Sequence, residues 1–380
     1  MNFESKLPAV GTTIFSVMTA LANQHNAVNL SQGFPDFEMD TQLQKFVYEA
    51  LAENQVQYAP MPGRIDLRKA ISRKINEDYS IQIDPTHEVT ITAGATQAIY
   101  TAIATIVREG DEVILFDPAY DCYAPAVEVH GGKPIHLALK HPTYDIDWEE
   151  VAGVINERTR LIIVNNPHNP CGAVWSKEDL LALENIALNH PSIYFISDEV
   201  YEHIRFDGNH VTVLSSDILR ERSFVTYSFG KSLHVTGWKL GYLIAPKELT
   251  AEFRKIHQYI VFCVNNTMQY AIAKYINSGP VWKGVAPLYE RKRDLFLENI
   301  KDSRFKALPC DGTYFCLLDY SEISNLDDVS FAKEMTIKYG VAVIPVSVFY
   351  KEQTDHKVIR VCFAKQDETL LKAARLLCKI

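Results

Sequence analysis

The sequence predicts an α/β fold, with a large domain on a mostly parallel central sheet and a smaller α+β domain beside it. Three observations carry the prediction. Short apolar, β-branched runs recur through the middle two-thirds of the chain; helical apolar spacing lies between most of them; and from about Gly279 the pattern changes to a long charged helix and new strands. A chain of 380 residues with 47% hydrophobic content can bury two cores of this kind.

In chain order, Met1 to Lys6 lack the basic start and apolar stretch of a secretory leader, and no later segment is apolar for long enough to cross a bilayer. A cytoplasmic protein with no membrane partner is expected. Val89-Thr90-Ile91-Thr92 reads as a strand. Gly94 then opens a helix whose apolar residues, from Ala95 and Ala98 to Ile106 and Val107, lead to a stop near Gly110. Further strands are read at 112–116, 161–164, 194–197 and 224–227, each apolar and bounded by polar or turn residues. Past Gly279, with Pro280 and Pro287 as punctuation, come a charged helix around 286–301 and strands at 313–319 and 358–363. The expected division gives 40–278 to the large domain and 1–39 with 279–380 to the small one.

Asp and Glu outnumber Lys and Arg by 47 to 38, and no basic run interrupts the mixed pattern, which argues against nucleic acid as the partner. The seven cysteines are scattered without a C-x-x-C pair, and the twelve histidines show no ligand spacing. No metal is expected, and most of the cysteines read as reduced packing residues.

Open α/β sheets bind ligands beyond the carboxyl ends of their strands, so the residues that follow each predicted strand are the informative ones. They are Gly94-Ala95-Thr96, then Asn165-Asn166-Pro167-His168-Asn169-Pro170, then Asp198-Glu199-Val200-Tyr201, then Ser228 and Lys231. An anion cradle, an amide, a carboxylate with a phenol and an amine together suit a phosphorylated aldehyde cofactor with a pyridine ring. Gly94, Ala95, Thr96, Ser228 and Lys239 could receive the phosphate. Asp198 would keep the pyridine nitrogen protonated, Tyr201 and Asn169 offer donors to its phenolic oxygen, and Lys231 is the amine for the aldehyde. Singly these residues read as a solvated lysine, a helix cap and a turn. Their conjunction at four strand ends is what overturns those readings.

At these residues the sequence resembles the class I and II aminotransferases, pyridoxal-phosphate (PLP) enzymes of fold type I, over essentially the whole chain. The matching segments are NLSQGFPDF from Asn29, YAPMPGRIDLR from Tyr58, GATQA from Gly94, NPHNPCG from Asn166, SDEVY from Ser197, SFGKSLHVTGWKLG from Ser228 and RVCF from Arg360. The pattern is most similar to the methionine aminotransferase branch, close to the kynurenine and glutamine transaminases. The resemblance implies that Lys231, Asp198 and Tyr201 are catalytic. Tyr120 would stack on the cofactor ring, Tyr58 would reach the phosphate of a neighbouring subunit in a homodimer, and Arg360 would grip the substrate carboxylate with help from Asn169 and the backbone of Gly33. It further implies ping-pong transfer of an α-amino group to a 2-oxo acid.

Two positions depart from the family pattern: Lys239 stands where many relatives have arginine, and Phe262-Cys263 where kynurenine and glutamine transaminases have Phe-His. Phe15 and Phe34 of the N-terminal segment, with Tyr120 and Phe262 of the interior, predict a pocket for an apolar or aromatic side chain, methionine fitting best. A PLP-dependent C–S β-lyase and a kynurenine or glutamine transaminase are the alternatives. A ligand-sensing regulator is disfavoured because family-like sequence begins within the first forty residues.

Overall fold

Successive side chains of a strand point to opposite faces, so an apolar run buried on both faces must lie inside a covered sheet. The computed structural model, which describes residues 4–380, places the runs in that way; Met1 to Phe3, which begin the segment expected in the small domain, lie outside the described residues. After a short strand β1 (Val28–Asn29), seven strands make the large sheet: β2 (Val89–Thr92), β3 (Glu112–Asp117), β4 (Lys133–Ala138), β5 (Thr159–Asn165), β6 (Tyr194–Asp198), β7 (Ser223–Ser228) and β8 (Gly241–Ile244). Their order is β2-β8-β7-β6-β5-β3-β4. Strands β3 to β7 pair in parallel, and β8 runs antiparallel to both of its neighbours.

Along β3, Val113 and Leu115 join one core with Leu161, Ile163 and Ile196 under the helix Gly94–Ile106. Ile114 and Phe116 turn to the other face and pack with Ile162, Val164 and Phe195. The mostly parallel sheet is thus covered on both sides, as the fold class requires.

A second core gathers the remaining chain. Strands β9 (Lys306–Ala307), β10 (Phe315–Asp319), β12 (Ile344–Pro345) and β13 (Val358–Cys362) form an antiparallel sheet in the order β12-β13-β10-β9. Strand β11 (Val341–Ala342) pairs in parallel with β1, so the N-terminal segment is hydrogen-bonded to the C-terminal part of the chain. Met18 and Leu30 accordingly pack with Phe296, Phe331, Ile359 and Leu370. The charged helix expected around 286–301 is Val285–Ile300. The strand read from 313 begins only at Phe315, because Thr313 takes a left-handed conformation (φ 63°).

Strands β4 and β8 escape the sequence reading. β4 is an edge strand that carries Pro134 and only one buried residue, where proline is tolerated and apolar patterning weak. β8 is four residues long and opens with Gly241. All seven cysteines are free, and four of them are buried. Among the described residues no helix is long and apolar enough to cross a membrane, and no cluster of His, Cys, Asp and Glu is placed to hold a metal ion.

Candidate active site

The parallel register aligns the strand ends into one row. Asn165 at the end of β5 faces Asp198 at the end of β6, and Asp198 faces Thr226 of β7. Because β8 runs the other way, its first residue, Gly241, faces both Ser228 and Thr92. Residues that precede β8 therefore reach the rim occupied by residues that follow β2 and β7. A cavity of about 230 Å³ opens there, bounded on the far side by Phe15, Gly33, Phe315 and Arg360 from the second core.

One end of the cavity is an anion cradle. Gly94 (φ 76°), Ala95 and Thr96 start the helix Gly94–Ile106, whose preceding residue, Ala93, supplies no side-chain cap. The first amides of the helix thus carry its positive dipole end into the cavity. Ser228 and Lys239 complete this wall, and the Lys239 ammonium lies over Gly94. Gly241 permits the arrangement, since a Cβ there would stand 2.4 Å from the Tyr227 carbonyl oxygen and 3.1 Å from the Ala95 nitrogen.

Asp198 lies at the floor, 4% exposed. Its Oδ2 accepts from the Tyr123 phenol at 2.6 Å, and its Oδ1 accepts weakly from the Val200 amide at 3.4 Å. Burial raises the carboxyl from 3.8 to about 6 against the opposing pull of the Tyr123 hydrogen bond. Tyr201, three residues on, and Tyr120 line the same space. The backbone carbonyl of Asp198 accepts from Asn165 Nδ2 at 2.8 Å, and Asn165 Oδ1 in turn accepts from the Asn169 amide at 2.8 Å. This chain of bonds fixes Asn169 at the wall.

Lys231 sits in the one-turn helix Phe229–Ser232 that follows β7. Its Nζ donates to the Tyr314 hydroxyl at 2.9 Å. Burial, with the cations of Arg360 and Lys239 nearby, lowers the amine to about 8. Opposite, the guanidinium of Arg360 is 1% exposed and lies 3.9 Å above the Phe315 ring. It donates from Nη1 to Asn169 Oδ1 at 2.9 Å and from Nη2 to the Ser31 carbonyl at 3.1 Å, while its Nε is buried without a partner. Because Asn169 Oδ1 is engaged by Arg360, the amide's NH₂ is the part free to donate to a ligand.

The aminotransferase class I and II family model matches residues 25–377. The chain belongs to that family. It is 49% identical over 376 residues to a methionine aminotransferase of Escherichia coli (strain K12), covering 98% of this chain and 97% of that one. A kynurenine–oxoglutarate transaminase of Dictyostelium discoideum is 34% identical, with 97% and 94% covered. Among solved structures, an Escherichia coli protein described as having a methionine aminotransferase function superposes with a TM-score of 0.98 at 48% identity, and both chains are covered in full. An N-succinyldiaminopimelate aminotransferase from Mycobacterium tuberculosis follows at 0.95 and 34% identity, with 99% of each chain covered. The expected fold and enzyme class are therefore correct, and the aminotransferase uses PLP.

The cavity suits that cofactor on its own chemistry. Lys231, Lys239 and Arg360 form no ion pair among the described residues, and Arg360 keeps an unpaired buried N–H. Three cations and an uncapped helix end call for anionic ligands, a phosphate at one end and a carboxylate at the other. A buried carboxylate between them suits a basic ring nitrogen.

Most of the expected site residues meet in this cavity, but Tyr58, Phe262 and Phe34 do not line it. The interior position expected for Phe262 is not found: the residue takes φ 65° just past the helix Lys247–Ile260 and is 54% exposed. Its ring stands edge-on to Tyr58, 5.3 Å away, and Tyr58 is itself 82% exposed. Phe34 turns outward beneath the Lys365 ammonium, 4.7 Å from its ring. Sequence reasoning missed Tyr123, Tyr314 and Gln32. Tyr123 and Gln32 stand close to segments that were singled out, the one three residues past Tyr120 and the other within NLSQGFPDF, yet nothing in the spacing marks them.

Proposed function

We propose that this aminotransferase moves the α-amino group of methionine, or a similar apolar or aromatic amino acid, to a 2-oxo acid. The observation that carries the proposal is the cavity's wall. Beyond Lys231, Lys239 and Arg360 it offers no further cation for a dicarboxylic side chain, but instead Phe15, Ile99, Val200 and Phe315. The similarity to methionine aminotransferase of Escherichia coli, in sequence and in structure, supports the same substrate.

In this reading Gly94, Ala95, Thr96, Ser228 and Lys239 hold the phosphate, Asp198 the ring nitrogen, Tyr201 and Asn169 the phenolic oxygen, and Tyr120 a face of the ring. When bound, the cofactor supplies the electron sink for the charge left at Cα. Arg360, with Asn169 and Gly33, holds the substrate carboxylate, and its planar fork fixes the direction of the Cα–H bond. Lys231, an amine near neutrality, takes the proton from Cα as general base and returns it in the next transfer.

Residues 40–278 serve as the large domain and 1–39 with 279–380 as the small one, an assignment supported by the β1–β11 pairing. The exposed pair Tyr58 and Phe262 fits a homodimer in which each subunit lends both rings to the other's site. A cytoplasmic location is part of the same reading.

The test is a visible spectrum of the PLP-loaded enzyme titrated with an amino-acid panel, repeated on Lys231→Ala. Methionine should shift the cofactor band of the wild type, and Lys231→Ala should lack the covalently linked species. A protein that stays colourless after PLP is supplied sinks the proposal. Pyruvate and ammonia released in excess of 2-oxo acid exchange would replace transamination with C–S β-elimination.

A further inference from the structure

We propose that Tyr314 is a positioning residue that couples the Lys231 amine to the loop carrying Gly33. The inference rests on the roles given above to Lys231 and Gly33. The Tyr314 hydroxyl donates to the Gly33 carbonyl at 2.7 Å and accepts from Lys231 Nζ at 2.9 Å. A hydroxyl has one proton. Because that proton goes to Gly33, the oxygen's remaining capacity is as an acceptor, and the donor on the other side has to be the lysine. Polarisation along the chain strengthens both bonds.

The hydroxyl is held firmly in place. Gly312, two residues before, admits no Cβ, which would stand 2.7 Å from both Pro167 and Val174 side chains, and Thr313 is left-handed. The Tyr314 ring is fully buried, edge-on to Tyr201 at 5.2 Å and tilted against Tyr289 at 5.4 Å. On the other side of the Gly33 loop, the Lys365 ammonium donates to the Phe34 carbonyl at 2.8 Å and more weakly to that of Gln32 at 3.4 Å. Of three successive carbonyls, the two outer ones are held by Lys365 and the middle one by Tyr314. A change in what Lys231 bonds to therefore alters the strength with which Gly33 is held.

Lys231 faces Asp198 and Tyr201 from the end of β6, Lys239, Arg360 and Cys362 from its other neighbours, and Tyr314. Only Tyr314 hydrogen-bonds its amine among the described residues. In Tyr314→Phe the ring packing stays and both bonds go. Formation of the covalent link between PLP and the cofactor-free enzyme needs a neutral amine, so its rate against pH reads the proton affinity of Lys231. Loss of the acceptor should lower that midpoint by about one unit. The KM for methionine should rise about tenfold as Gly33 loses its anchor. Tyr289→Phe is the control, since its hydroxyl is buried without a partner in the same ring cluster and its removal should move neither reading.

If either reading stays at the wild-type value in Tyr314→Phe, or if Tyr289→Phe shifts both as far, the coupling is refuted. Thermal melts of all variants report whether they are folded. Lys231→Ala checks the underlying reading separately: a covalent, borohydride-reducible link to PLP that survives this change overturns the role of Lys231, and the coupling with it.

Discussion

The Tyr123 phenol donates to Asp198 at 2.6 Å, and it is the shortest of the bonds that keep this carboxylate ionised in a site 4% exposed. Asp198 binds its proton more tightly folded, at about 6, than at its unperturbed value of 3.8. Between those values the native state holds more protons, so its stability falls as pH rises and stays lower above pH 6. Asp198→Asn should therefore make the cofactor-free protein more stable at pH 7 by about 3 kcal/mol, with the gap closing below pH 4. Denaturant melts of both proteins across pH measure this. The same variant should lose most of its affinity for PLP.

Tyr123→Phe removes the donor and leaves the acid. The pH below which PLP retention fails should move up, since one of the groups opposing protonation is gone. An unchanged acid limb would show that Tyr123 serves packing alone.

Arg360→Lys keeps a cation beside Asn169 but loses the fork. One point charge cannot serve Asn169, the Ser31 carbonyl and a substrate carboxylate together, so the KM for methionine should rise about a hundredfold. The cofactor's spectrum in the absence of substrate should not change. Steady-state kinetics and a PLP titration separate the two effects.

Gly33→Ala should act through space. Its Cβ would stand 2.7 Å from the Phe315 ring, which itself supports Arg360. The loop has to shift outward, which should cost about 1–3 kcal/mol of stability and raise KM more than it lowers PLP affinity. Thermal melts and substrate titration check it.

Subunit mixing tests the proposed lending of Tyr58. Neither Tyr58→Ala nor Lys231→Ala should be fully active alone, but the mixed dimer would contain one site with both residues intact. Random assortment predicts recovery to about a quarter of wild-type activity. No recovery on mixing would mean that Tyr58 serves its own subunit.

Much of this was legible because strand ends concentrate the chemistry. A β-branched run followed by glycine, or by Asp-x-x-Tyr, declares both the element and what it presents. Strand β4 was not legible because Pro134 and an exposed edge remove the apolar signal. Tyr123 and Tyr314 were hidden for a different reason: the chain has 19 tyrosines, and their importance lies in what stands opposite them across the fold. Phe262 shows the converse. Its apolar character suggested an interior place, whereas an apolar ring turned to solvent in one chain is what a subunit boundary would use.

Ser228 and Gly241 are neighbours in the antiparallel register of β7 and β8, so the segment between them is a closed excursion with clamped ends. Lys231 and Lys239 both ride on it. The distance between the two amines is thus set by the length and bends of one short loop, including the left-handed turn at Lys239, and not by the spacing of strands. The loop works as a gauge: a single inserted residue would leave the sheet intact yet change the spacing of the two amines, so this segment should tolerate changes in length far less well than an ordinary loop does.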